Sequence, residues 1–214
     1  MFASDRDLIV LEPNLLRDVA WVGQRLVKGD ATISGTTLTL SNQDIEFDSA
    51  GIEAGHIVLV DGVAYEVLVR LSKLTLTVSR MRTDSGDAAI PPTPVGPVPM
   101  AIYTFAPQLA LVHNQVLRLI GIEPEDPASL GRPTESSITN PGTLRRLVGL
   151  GALHLIYAAA SALSPAQSPQ AARAAMYRSR FGAERERVAV RLDLNGDGYP
   201  DATRRPNVLQ FIRG

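Results

Sequence analysis

The fold is decided by residues 176–201, MYRSRFGAERERVAVRLDLNGDGYPD, together with the apolar and Ala-rich residues that precede them from Asn140. Asn140-Pro141 and Ser168-Pro169 each combine a residue favoured at a helix N-cap with a proline suited to the first turn. They predict helices from 140 to about Leu163 and from 168 to about Arg191. The acidic turn that follows ends the helical pattern, and an apolar C-terminus begins after Pro206.

Helical spacing also marks other parts of the chain. Ser4 and Asp7 resemble a capping box, and the apolar periodicity predicts a short helix, a break at Pro13, and a second helix from Asn14 to about Lys28. A further helix is expected from Pro107 to Gly121, where apolar residues recur on one face.

Between these helices the apolar period changes to two, which is typical of strands. The predicted strands cover 31–34, 36–40, 56–60, 63–69 and 74–78, with Asp61-Gly62 as a hairpin turn. The fold class expected is therefore α+β, a helical bundle domain with an inserted small antiparallel β barrel or sandwich. The expected domains are a helical one of 1–28 and 100–214, a β module of 30–85, and a Pro-rich surface arm of 86–99.

Composition narrows the classes of function. The 214 residues carry a formal charge of −1 and no cysteine, so a disulfide framework, a thiol nucleophile and a thiolate metal site are excluded. From Pro169 onward nine arginines face five acids, a local charge of +4, which leaves −5 on the remainder. The N-terminus does not resemble a secretory signal, and no membrane span is expected, because the apolar run 147–163 is short and contains a histidine.

The acidic turn is the sharpest candidate for a metal site. Asp193, Asn195, Asp197 and Asp201 occupy positions one, three, five and nine of an EF-hand calcium loop, but the twelfth position, which should be glutamate, is Arg204. The alternative is a solvated turn in which Asp and Asn bond the backbone. No cofactor is required, and Ca²⁺ is the one ligand that this turn would suit.

Two further surfaces are candidates for binding. Arg178, Arg180, Arg185 and Arg187 on the last helix suit phosphate contacts with DNA or a contact between subunits, although a solvated charged face explains them as well. Val208, Leu209, Phe211 and Ile212 either pack on their own domain or add to a partner. The three histidines stand at no ligand spacing, and no motif of a nucleophile elbow, dinucleotide fold or phosphate loop occurs, so an enzyme is not expected.

An Arg- and Glu-bearing final helix that runs into LDLNGDGYPD, then Arg204-Arg205 and a short apolar end, resembles the head-to-tail adaptor (connector) proteins of tailed bacteriophages. The resemblance covers about 1–28 and 100–214 and implies a non-catalytic structural protein of the virion neck, assembled in the bacterial cytoplasm. It implies a twelvefold homo-oligomeric ring that binds the portal above and a neck, stopper or tail protein below, with DNA passing non-specifically through its channel.

In that family the C-terminal segment typically reaches the portal, which implies this role for Val208, Leu209, Phe211 and Ile212. The β module departs from the smallest members, so no contact is carried over to it. The apolar helix at 147–163 would suit burial by neighbouring subunits. The rival function is a calcium-binding extracellular or adhesion module that uses the acidic turn, and a DNA-binding protein that uses the last helix is a third.

Overall fold

The chain has an α+β fold, and its described residues form a closed antiparallel barrel of six strands together with five α-helices and a separate two-stranded hairpin. The computed structural model describes residues 1–124, 132–162 and 168–206. The helices are α1 Asp5–Leu11, α2 Leu15–Val19, α3 Ala106–Leu119, α4 Gly142–Ala162 and α5 Pro169–Arg187. The strands are β1 Gln24–Ser34, β2 Thr37–Ser41, β3 Ile57–Val60, β4 Val63–Arg70, β5 Thr75–Ser79, β6 Val95–Thr104, β7 Val190–Leu192 and β8 Ala202–Arg204.

Two compact units divide the chain. One comprises 4–106 and holds the barrel with α1 and α2, and the other comprises 1–3 and 107–214 and holds α3, α4 and α5. This partition assigns residues 4–28 and 100–106 to the barrel unit, whereas the sequence analysis placed them with the helices.

The barrel follows from alternating side chains on its strands. Its strand order is β1-β2-β5-β4-β3-β6, and β6 closes onto β1. Buried positions alternate along β2, and apolar residues from all six strands fill the interior. Asp61 and Gly62 both have positive φ, 49° and 76°, which confirms the hairpin turn predicted from the sequence.

The predicted Pro-rich arm is wrong for 95–99, because these residues begin β6. Pro97 lies where the pairing of β6 with β1 shifts register between Ala31 and Ile33, so its missing N–H falls at a bulge. Pro99 also donates no hydrogen bond, but its carbonyl accepts one from Asp61 N at 2.9 Å. The prolines of β6 therefore lie at positions where the hydrogen bonds between strands do not require a backbone N–H.

The predicted helix from Asn14 to Lys28 is also wrong in its second half. α2 ends at Val19, a 3-10 turn covers Ala20–Val22, and β1 begins at Gln24. Val27 pairs with Ile102 and is fully buried in the barrel core. Pairing with β6 therefore outweighs the local helical periodicity.

Charged groups are buried inside the barrel unit. Glu66 of β4 is 0% exposed, and its carboxylate accepts hydrogen bonds from Arg6 Nε at 2.6 Å and from Arg82 Nε. Arg6 also donates to the Arg82 carbonyl at 2.7 Å. The two guanidinium groups offset the cost of burying the carboxylate, and they attach α1 and the chain after β5 to β4.

In the helical unit α4 is enclosed by its own chain. Seven consecutive residues, 147–153, are buried, so every face of the helix is covered there. A Cβ on Gly151 would lie 2.6 Å from Val112 Cγ1 of α3 and 3.0 Å from Phe181 Cε2 of α5. The expectation that neighbouring subunits bury this helix is therefore wrong, because the single chain already does so.

Candidate interaction surface

The predicted arginines of α5 lie on two edges of the helix. Seven residues are almost two full turns, so Arg180 and Arg187 share one edge, and Arg178 and Arg185 share the other. Arg178, Arg180 and Arg187 are exposed, whereas Arg185 is partly buried and its Nε has no hydrogen-bond partner in the described residues. The Arg180 guanidinium lies 5.7 Å from the centre of the Tyr177 ring, within cation–π distance.

Small side chains separate the two edges. The exposed positions between the arginines are Ala172, Ala175, Ser179, Ala183 and, toward the C-terminal end, Glu186. Apart from its own stretch of helix, nothing lies within 4 Å of the place where a Cβ on the nearby Gly182 would stand. We call this surface the α5 face: small residues and Glu186, with Arg178, Arg180, Arg185 and Arg187 at the edges. Sequence analysis identified the arginines and missed the small residues, which appear only when the exposed positions are known.

The opposite side of α5 packs on α4. The Tyr157 and Tyr177 rings stack with centroids 5.7 Å apart and planes 11° apart, and Arg173 Nη1 donates to the Tyr157 hydroxyl at 2.8 Å. Ser168 accepts from Ala171 N, which confirms the predicted N-cap of α5. These contacts fix the side of α5 that is exposed.

The junction between α5 and β7 is held by Asn140. Its Nδ2 donates to the Ala189 carbonyl at 3.0 Å and its Oδ1 accepts from Arg191 N at 2.8 Å. The prediction that the Asn140 side chain caps α4 is wrong, because its polar atoms bond this junction and α4 begins at Gly142. α5 itself ends at Arg187, earlier than predicted.

The acidic turn connects β7 and β8, so residues 193–201 form the loop of a hairpin. Asp193 accepts hydrogen bonds from Gly196 N at 2.7 Å and Gly198 N at 2.8 Å, and Asp201 accepts from Leu194 N at 2.8 Å. Asp197 accepts from Tyr199 N at 2.8 Å. The bonds to Asp193 stabilise its ionised form, and the bond from Gly198 N contributes most to lowering the pKa of Asp193 below its ordinary value.

This geometry bears on the predicted metal ligands Asp193, Asn195, Asp197 and Asp201. The structure brings all four into one loop, but their side chains bond backbone N–H groups and each other. Within the described residues no group of three or more His, Cys, Asp or Glu is arranged to hold a metal ion. Arg204, at the twelfth position, donates instead to the carbonyls of Ile120 and Gly121 at 2.6 and 3.1 Å.

Sequence analysis did not predict the pairing of His113. This buried residue lies on α3, and its Nε2 is 3.0 Å from Glu135 Oε2. Its ring contacts Phe2 at a centroid distance of 4.5 Å, and its Nδ1 has no hydrogen-bond partner in the described residues. A pocket of about 500 Å³ adjoins the pair, lined also by Asn114 and Leu117. Spacing along the sequence gave no signal, because 22 residues separate the two partners.

The remaining predicted site residues, Val208, Leu209, Phe211 and Ile212, lie outside the described residues. No helix within 1–124, 132–162 and 168–206 has the length and apolar character needed to cross a bilayer. Comparison with protein-family models, curated proteins and solved structures gives no match.

Proposed function

We propose that this protein is a structural component of the neck of a tailed bacteriophage, a homo-oligomeric ring that joins the portal to the tail and encloses the DNA channel. One observation carries the proposal. The helical unit exposes a basic helix face and an acidic hairpin, and the charges of the two surfaces are not paired with each other within the chain. Self-association of the kind that a ring requires would use both surfaces.

The proposal gives each part of the helical unit a role. The α5 face contacts a neighbouring subunit; the alternative role of its arginines is contact with DNA phosphates in the channel, which needs no base-specific geometry. The tail with Val208, Leu209, Phe211 and Ile212 reaches the portal. The opposite end of the ring receives a neck, stopper or tail protein, and assembly takes place in the bacterial cytoplasm.

Quantitative peptide mass spectrometry on tailed particles from an induced culture of the source strain tests this function. The copy number of this chain is compared with that of the portal protein in the same band, and tail-less heads from the same preparation are the control. A neck ring predicts abundance near that of the portal. Absence of the chain from particles that contain portal would refute the proposal.

A second candidate function, the calcium-binding module, rests on the gathering of three carboxylates in one loop. Its test is the melting temperature in millimolar Ca²⁺ against Mg²⁺, because a ligand that binds only the folded state raises the midpoint. A large rise specific to Ca²⁺ would favour this function over the ring.

A further inference from the structure

Two surfaces of opposite charge in the helical unit are not neutralised by the chain itself. α5 holds five arginines and two glutamates, a net charge of +3, whereas the loop 193–201 holds three aspartates and no basic residue. Among the described residues, Arg178, Arg180 and Arg187 form no ion pair within 4.0 Å, and neither do Asp193, Asp197 and Asp201. Both surfaces are therefore available to a partner.

The acidic loop also exposes two apolar side chains, which a purely electrostatic contact would not require. Leu194 is 51% exposed and Tyr199 is 74% exposed, and both belong to the same hairpin loop as the aspartates. Backbone N–H groups hold the loop in a defined shape through Asp193 and Asp201, so little conformational entropy is lost when it docks. We call residues 193–201 the hairpin tip.

The α5 face matches this tip in chemistry. Its small side chains, Ala175, Ser179 and Ala183, let another backbone approach closely, and the arginines along its edges stand about 10.5 Å apart at a rise of about 1.5 Å per residue. The exposed acid Glu186 lies C-terminal to these small residues and is outnumbered by the arginines, so the face stays basic. Guanidinium groups bind carboxylates and stack on aromatic rings. An acidic loop that carries a leucine and a tyrosine therefore suits this face better than DNA, which offers phosphates and no counterpart for the apolar side chains.

We propose that the hairpin tip of one copy docks on the α5 face of a second copy, with Tyr199 and Leu194 over the small residues and the aspartates at the arginine edges. Because the tip and the face are different surfaces, the contact is heterologous, and its repetition produces a ring when the rotation closes. This inference rests on the proposed ring for its biological setting and names the self-contact within it.

The absence of native cysteine permits a clean crosslinking test. Purified full-length Ala183→Cys and Tyr199→Cys variants are mixed and oxidised, and disulfide-linked dimers are measured over time. Leu71→Cys mixed with Tyr199→Cys is the control, because Leu71 is 59% exposed on the barrel and lies outside both surfaces. The expected result is a heterodimer of A183C and Y199C that forms about tenfold faster than the control pair, as a local contact raises the effective thiol concentration.

Charge reversal tests the electrostatic part of the contact. Arg180→Glu in the A183C chain is expected to slow the crosslink about tenfold, and Asp197→Arg in the Y199C chain is expected to restore the rate when the two reversals are combined. Thermal melts of each variant establish that it folds. A crosslinking rate equal to that of the control pair, or no rescue by the second reversal, would overturn the inference.

Failure of this contact and failure of the function have different signatures. A chain found at portal abundance in particles but without the crosslink forms its ring through another surface. If the crosslink forms but the chain is absent from particles, the self-contact is supported and the proposed role in the neck is refuted. Arg180→Glu that abolishes binding to duplex DNA and leaves the crosslink rate unchanged assigns the α5 face to DNA and overturns the docking.

Discussion

Replacing Gly151 with alanine tests how α4 is enclosed by α3 and α5. The new Cβ would stand 2.6 Å from Val112 Cγ1 and 3.0 Å from Phe181 Cε2, both closer than unstrained contact allows. Val112 is β-branched and therefore stiff in a helix, so relief requires a movement of α3 against α4.

The magnitude follows from two opposing terms. Overpacking of a tight core costs about 1–3 kcal/mol, and alanine in place of glycine in a helix recovers about 1 kcal/mol. We therefore expect Gly151→Ala to lower the free energy of unfolding by about 1 kcal/mol. Gly182→Ala in α5 is the matched control, because its added Cβ would meet nothing within 4 Å outside its own stretch of helix, and it should raise stability by about 0.5–1 kcal/mol.

Urea unfolding followed by circular dichroism measures both variants, and a difference of about 2 kcal/mol between them is the expected outcome. The double variant Val112→Ala/Gly151→Ala adds a check on the cause, since removing Cγ1 should reduce the penalty of the Gly151 substitution and give a coupling above about 0.5 kcal/mol. Equal stability of G151A and G182A would refute the packing of α4 described above and restore the possibility that a neighbouring subunit covers this helix.

Three further predictions concern charged groups. Glu66→Gln should lower the free energy of unfolding by about 3 kcal/mol, because it removes the buried charge that pairs with Arg6 and Arg82 and leaves Arg6 with the longer ion pair to Asp7 at 3.7 Å, and a denaturation midpoint equal to the wild type would contradict this. Because the pKa of Asp193 is lowered in the folded state, its carboxylate stabilises the fold above the ordinary pKa, and this stabilisation is lost as the pH falls through the folded pKa. Asp193→Asn should therefore weaken the loss of stability at acidic pH, measured by thermal melts over a range of pH. Millimolar Ca²⁺ should leave the melting temperature within about 1 °C of its value in Mg²⁺, because Arg204 stands at the twelfth loop position.

The sequence predicted the elements whose signals are local. The capping box at Ser4, the N-cap Ser168 and the Asp61-Gly62 turn all have the predicted conformations, since each depends on residues within a few positions of one another. α3 and α4 also begin and end within two residues of the expected bounds. The barrel was predicted in outline from strands with a clear period of two.

The errors arise where distant partners decide the conformation. Residues 24–28 have a helical pattern, yet they pair with 101–104. No feature of the local sequence predicts this pairing. Pro97 and Pro99 made a strand at 95–99 look unfavourable, because proline fits a strand only at positions such as a bulge, and the position of a bulge cannot be predicted from the sequence. In the candidate site, the sequence indicates the arginines and the acidic loop, whose role stays a prediction. The exposed small residues of α5 depend on which side of the helix faces α4, and the role of Asn140 depends on contacts about 50 residues away along the chain.

Asn140 bears on the proposed assembly, because it bonds the stretch of chain that lies between the two proposed contact surfaces. The α5 face and the hairpin tip are separated by only a short stretch of chain, and the Asn140 amide holds that stretch at Ala189 and Arg191. In a heterologous contact the orientation of one surface relative to the other sets the rotation between successive copies, and hence whether a ring closes or an open filament grows. In the proposed ring, Asn140 would therefore constrain the symmetry of the assembly without touching the partner, because it bonds Ala189 O and Arg191 N.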